Sequence, residues 1–76
     1  MPHIIVKLAS GRSEQQKARI ADDITKTIMS SAECEESAVS VSIEDVDLGE
    51  WTEKVYNPDI LAKPDTLYKK PGYDPA

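Results

Sequence analysis

The sequence predicts an α+β fold built on one β-α-β unit, two parallel strands joined by a single crossover helix, followed by an irregular C-terminal arm. Three observations carry this prediction. A β-branched run, Ile4-Ile5-Val6, opens the chain; Ile20, Ala21, Ile24 and Ile28 recur behind it at helical spacing; Val39, Val41 and Ile43 then alternate with Ser40 and Ser42 at the period of a strand. A connection long enough to hold a helix suits parallel strands, and such crossovers are right-handed in nearly all cases.

The first strand is expected from His3 to Leu8, with Ala9-Ser10-Gly11-Arg12 as its exit loop. Ser13 and Gln16 form a capping box at the start of the helix, and Glu14 puts negative charge at the positive end of the helix dipole. Lys17, Arg19, Asp22, Asp23 and Lys26 fill the positions between the apolar ones, which predicts one core face and an otherwise solvated helix. The stripe fades at Ser30-Ser31, and Glu33-Cys34-Glu35-Glu36 is too acidic to continue it. The second strand then runs through Val39 and Ile43.

Past Ile43 the character changes. Glu44-Asp45-Val46-Asp47 leads into Leu48-Gly49-Glu50-Trp51 and a tail punctuated by Pro58, Pro64, Pro71 and Pro75, which predicts irregular backbone. Yet this arm holds every aromatic residue, Trp51, Tyr56, Tyr68 and Tyr73, with Val55, Ile60 and Leu61. Such a segment is expected to pack against the body or a partner chain rather than hang free.

With 76 residues the chain is read as one domain, core 2–51 and arm 52–76. A domain of this size buries only about 60% of the surface its unfolded chain exposes. The single cysteine, Cys34, allows no internal disulfide and sits among acids that discourage a thiolate, while the single histidine, His3, allows no Cys/His metal cluster. The acidic run Glu44, Asp45, Asp47 lacks the ligand count and glycine of a calcium loop, so no metal and no cofactor are expected.

A lone β-α-β unit leaves two open sheet edges and one bare sheet face. Pairing two copies edge to edge, giving a homodimer with a four-stranded sheet, is the expected remedy, and it allows both chains to contribute to one site. The net charge of −5 argues against nucleic acid or an anionic membrane as partner, and Lys69-Lys70 is too small a cluster to reverse that. No apolar stretch approaches the ~20 residues of a membrane span and no secretory signal is evident, so the cytoplasm is the expected location.

Pro2 carries the clearest chemical implication. Inside a chain its nitrogen is an amide with neither proton nor basicity. With Met1 removed it becomes a terminal secondary amine on a stiff ring, and burial or a nearby cation lowers the pKa of such an amine toward the range useful to a general base. Retention of Met1 blocks that base.

Pro2 opening a strand, Gly11-Arg12-Ser13 followed by Glu14-Gln15-Gln16-Lys17, Val39-Ser40-Val41 in the second strand and an aromatic at Trp51 together resemble the 4-oxalocrotonate tautomerase family. The match covers about Pro2 to Trp51, and the remainder, through Lys69-Lys70-Pro71-Gly72-Tyr73, looks like the longer tail of the PptA branch of that family. The resemblance implies a tautomerase-like fold, a homodimer in preference to a trimer of dimers, and an isomerase acting on 2-keto or enol acids. It implies Pro2 as the general base that returns its proton to another carbon, Arg12 as the binder of a substrate carboxylate, and Trp51 as an apolar wall that excludes water.

Ser40 departs from the family pattern, standing where the best-known members carry a second arginine. A serine donates one hydrogen bond and supplies no charge, which favours a monoacid such as a phenylpyruvate-type enol over a dicarboxylate. Two other readings stay open. Pro2 as a cation and general acid fits the hydrating dehalogenase and decarboxylase branches of the superfamily, and a small acidic interaction module would use the edges and aromatic arm for assembly alone. His3 alternates to the face opposite Pro2 and is read as structural rather than as a proton shuttle.

Overall fold

Two seven-residue strands, β1 (His3–Ala9) and β2 (Ser40–Val46), pair in parallel with His3 opposite Ser40 and Ala9 opposite Val46 in a computed structural model that describes residues 1–74. Pro75, the last of the prolines expected to punctuate the arm, lies outside the described residues. The pairing is tied at both ends by backbone bonds, the Ser40 amide donating to the Pro2 carbonyl at 3.2 Å and the Ser10 amide to the Val46 carbonyl at 2.9 Å. Between the strands runs α1 (Glu14–Ser31), as the apolar spacing requires. Ser13 caps it reciprocally: the Gln16 amide donates to Ser13 Oγ at 3.1 Å and the Ser13 amide to Gln16 Oε1 at 3.0 Å.

The end of α1 has a feature invisible to hydrophobic periodicity. Glu33 takes φ +54°, the left-handed conformation that closes helices and that glycine adopts without strain. Its turn lets the Cys34 amide reach back to the Met29 carbonyl at 3.2 Å. Cys34 is half-buried there.

Alternation divides the sheet into two faces. Ile4, Val6 and Leu8 share one with Val41, Ile43 and Asp45, and α1 lies across it. Lys17, expected in solvent, in fact sits on the inner stripe of α1, bonding Asp45 at 2.8 Å and Glu14 at 2.9 Å. The hydrogen bonds to Asp45 and Glu14 hold its ammonium pKa above the ordinary lysine value. This pairing also explains why β2 continues three residues past Ile43: Asp45 is a strand residue answered across the layer by a lysine rather than the start of a loop.

The irregular arm of the sequence reading needs correction. A ten-residue helix of π type spans Thr52–Leu61, with the Ala62 amide bonding the Asn57 carbonyl five residues back at 3.0 Å. Single-turn π bulges are the common form, so a run of this length is unusual. Pro58 lies inside it. An α-helix would press the proline ring against the carbonyl four residues earlier, and the wider π turn relaxes that clash. The arm is thus helical around Pro58 rather than irregular throughout.

This arm helix lies over the second sheet face, where Ile5 and Lys7 look outward from β1. Lys7 Nζ meets Asp59 Oδ2 at 2.5 Å, and Val55, 5% exposed, is the one buried hydrophobic residue among those described. Leu48, Leu61 and Tyr68 remain 75%, 65% and 99% exposed. A chain with one buried hydrophobic side chain and large exposed ones has little internal hydrophobic stabilisation.

Candidate active site

The parallel register sets Pro2 beside the start of β2. Because the Pro2 carbonyl accepts from the Ser40 amide at 3.2 Å, the residue ahead of β1 is half-buried and held in the sheet ladder rather than loose at a terminus. Met1 in front of it is fully solvated, at 108% exposure, so its loss would disturb no packing. Directly across the ladder, His3 and Ser40 project from the same sheet face, and His3 Nδ1 lies 2.7 Å from Ser40 Oγ.

That face continues through Ile5 and Lys7 to a pocket of about 370 Å³ walled by Ile5, Lys7, Trp51, Val55 and Asp59 with Ile60 and Lys63. Trp51 stands at the junction between a short 3-10 turn, Leu48–Glu50, and the arm helix. Its indole Nε1 donates to the Tyr73 hydroxyl at 2.9 Å, and Tyr73 in turn meets Tyr56 with ring centroids 5.9 Å apart. Residues near the end of the chain therefore orient the indole. Lys7 faces the same pocket with its ammonium committed to Asp59, and the hydrogen bond to Asp59 is the main reason its pKa is raised above 10.5.

Arg12 lies elsewhere. Gly11, at φ +127°, makes a turn that L side chains rarely adopt, and it folds the Arg12 side chain back so that Nη1 donates to the Ala9 carbonyl at 3.1 Å. Ala9 ends β1 and Pro2 precedes its start, so the guanidinium is about 23 Å from Pro2, at ~3.3 Å of rise per residue over seven steps. An arginine side chain cannot span that distance. Of the four sequence-predicted residues, the ladder sets Ser40 beside Pro2, Trp51 walls the pocket further along over Ile5 and Lys7, and Arg12 lies at the far end of β1.

Three contributors were not anticipated: the His3 bond to Ser40, the Tyr73 bond to Trp51, and the Lys7–Asp59 tie. The first had a readable signal, since residues opposite one another in a parallel ladder share a face, but the register itself was needed to pair them. The other two depend on the arm folding back, which composition predicted and position did not. The acidic run is also accounted for, with Asp45 on Lys17 and Asp47 accepting from Ser10 Oγ at 3.3 Å. Among the described residues, no helix is long and apolar enough to cross a membrane.

Comparison with known proteins agrees with the β-α-β fold. The family model described as "Tautomerase enzyme" matches residues 2–54. A probable tautomerase of Xylella fastidiosa (strain 9a5c) is 48% identical over 73 residues, 96% of this chain and 89% of that protein. Tautomerase PptA of Cronobacter sakazakii is 37% identical over 75 residues, 97% of this chain and 99% of its own length. Among solved structures, TomN, a 4-oxalocrotonate tautomerase homologue in the tomaymycin biosynthetic pathway, superposes with a TM-score of 0.64 at 30% identity, covering 66% of this chain and 77% of that one. A 4-oxalocrotonate tautomerase isozyme structure from Methylibium petroleiphilum gives 0.59 at 30% identity, with 60% and 74% covered.

Proposed function

The chain belongs to the Tautomerase enzyme family and is an isomerase, and on that premise we propose that it is a cofactor-free keto-enol tautomerase of 2-keto and enol acids, phenylpyruvate-type enols above all, with Pro2 as general base. The observation that carries this reading is the placement of Pro2, half-buried at the head of β1 and fixed against Ser40. Once Met1 is removed, the same ladder bond holds a secondary amine in one place.

In the ketonisation direction, the neutral Pro2 nitrogen takes the enol hydroxyl proton, leaving an enolate whose charge is shared between oxygen and carbon 3. The prolinium then delivers that proton to carbon 3, the carbon–carbon double bond becomes single, and the carbonyl forms. The amine ends neutral and no electron is gained or lost. Ser40 can donate to the enolate oxygen as charge develops there. Trp51 and its pocket supply an apolar surface for an aryl group and lower the local dielectric.

Arg12 holds the substrate carboxylate in this reading, and the ~23 Å between Arg12 and Pro2 of one chain requires a second chain to bring them together. A two-fold homodimer pairing the free edges of two β1 strands antiparallel sets the end of one strand beside the start of the other. The exposed Leu48, Leu61 and Tyr68 and the near absence of a buried core support assembly. With serine at position 40 in place of a second cation, phenylpyruvate-type enols should turn over better than oxalocrotonate-type dienols.

The test is intact mass together with phenylpyruvate enol ketonisation by the purified protein and its Pro2→Ala variant. Loss of the Met1 mass and a rate drop of about a hundredfold or more in the variant are expected for a lost general base. Retained Met1 in an active preparation, or equal rates, removes Pro2 from the mechanism.

A further inference from the structure

Among the described residues Ser40 Oγ has one side-chain hydrogen-bond partner, and it is the chain's only histidine. His3 Nδ1 stands 2.7 Å from it, across a parallel ladder whose register puts both on one sheet face, one residue along the strand from Pro2, whose carbonyl accepts from the Ser40 amide. The direction of that bond decides what Ser40 can do. If the hydroxyl donates to the ring, its only proton is spent and the enolate oxygen receives nothing. If Nδ1–H donates to Oγ, the hydroxyl proton is free to point at substrate, and the incoming donor polarises it.

We propose that His3 is a positioning residue that donates through Nδ1–H to Ser40 Oγ, turning the Ser40 hydroxyl into an aimed donor for the enolate oxygen that forms beside Pro2. The pair supplies a hydrogen bond where an arginine would supply charge, which suits a substrate with a single carboxylate. Both residues are exposed in the single chain, so their bond lies open to a molecule bound on that face. His3 touches no reacting atom; it acts through Ser40. The assignment rests on Pro2 being the base, and its test separates the two claims.

The ring nitrogens of a lone histidine give a direct readout that needs no activity. In the ¹⁵N spectrum of the neutral ring, the expected result is a proton on Nδ1, lost in Ser40→Ala; a ring protonated on Nε2 in the wild type overturns the assignment. Kinetically, His3→Ala should lower kcat on phenylpyruvate enol about tenfold, one hydrogen bond's worth, with KM changed less than about twofold. His3→Asn, whose amide can present N–H near the Nδ1 position, should restore most of the loss. In a Ser40→Ala background His3→Ala should add nothing, because the group it serves is gone. Unchanged kcat in His3→Ala, no rescue by asparagine, or additive losses in the double variant each overturn the proposal even where Pro2→Ala is inactive. An active Pro2→Ala protein instead overturns the base assignment, while the ring spectrum still decides the direction of the bond.

Discussion

If Pro2 and Arg12 from different chains make each site, two inactive variants should repair one another. Arg12→Ala removes a charge-assisted hydrogen-bond donor to the substrate carboxylate, about 1.5–3 kcal/mol, or roughly ten- to a hundredfold in kcat/KM. Pro2→Ala removes the base. The ~23 Å between these residues within one chain follows from the strand rise and from the bond that fixes Arg12 Nη1 on Ala9 at 3.1 Å. In a mixed dimer of the two variants, the Pro2 of the Arg12→Ala chain faces the Arg12 of the other, so one site is intact and the second carries both lesions. Equal co-expression gives about half mixed dimers by random pairing, each with one working site of two, and the pool should recover about a quarter of wild-type activity. The assay is initial-rate ketonisation on the co-expressed pool and on each variant alone, with purification handles kept off the N-terminus. A pool no more active than the average of its parents refutes the shared site, since residues of one chain cannot be complemented by another.

The backbone supports two opposite stability predictions. Gly11→Ala should cost about 1–2 kcal/mol through strain at φ +127° rather than through a clash, the space around it being open. Glu33→Gly, at φ +54°, should instead gain about 0.5–1 kcal/mol, both read as shifts in Tm; a reversed sign at either position refutes its account. Tyr73→Phe removes the acceptor on the indole of the only tryptophan, so Trp51 emission should change while far-ultraviolet circular dichroism does not, and unaltered emission discounts the bond. The Lys7 ammonium gains its partner on folding and its pKa is raised above 10.5, so its stabilisation is whole below about that pH and is lost as pH climbs through the raised value. Trp51 emission should therefore report release of the arm above about pH 10.5, with an earlier onset in Asp59→Asn.

The β-α-β body was legible because its signals are local and periodic. Ile20, Ala21, Ile24 and Ile28 fall on the half-buried stripe, and the Ser13–Gln16 capping box forms as written. Lys17 escaped because a cation on an inner stripe is sensible only when Asp45 answers it from another element. The helix over Thr52–Leu61 escaped because Pro58 weighs against an α-helix and no sequence period signals a π-helix. At the site, Pro2 and Ser40 were each readable alone, but their adjacency depends on register. The distance to Arg12 follows from the length of β1 and from the bond that folds Arg12 Nη1 back onto the Ala9 carbonyl, a contact that residue types do not signal.

The sheet pairing has a temporal consequence. His3 and Ser40 are 37 residues apart in sequence, and among the described residues the ladder partner of Pro2 is Ser40. A growing chain offers Pro2 nothing to bind until β2 has left the ribosome, because a parallel partner arrives only after the whole crossover helix. Throughout that interval the residues ahead of β1 have no strand partner. The fold thereby makes the fixing of Pro2 wait on β2: the residue ahead of the first strand is held only once the crossover helix and the second strand are in place.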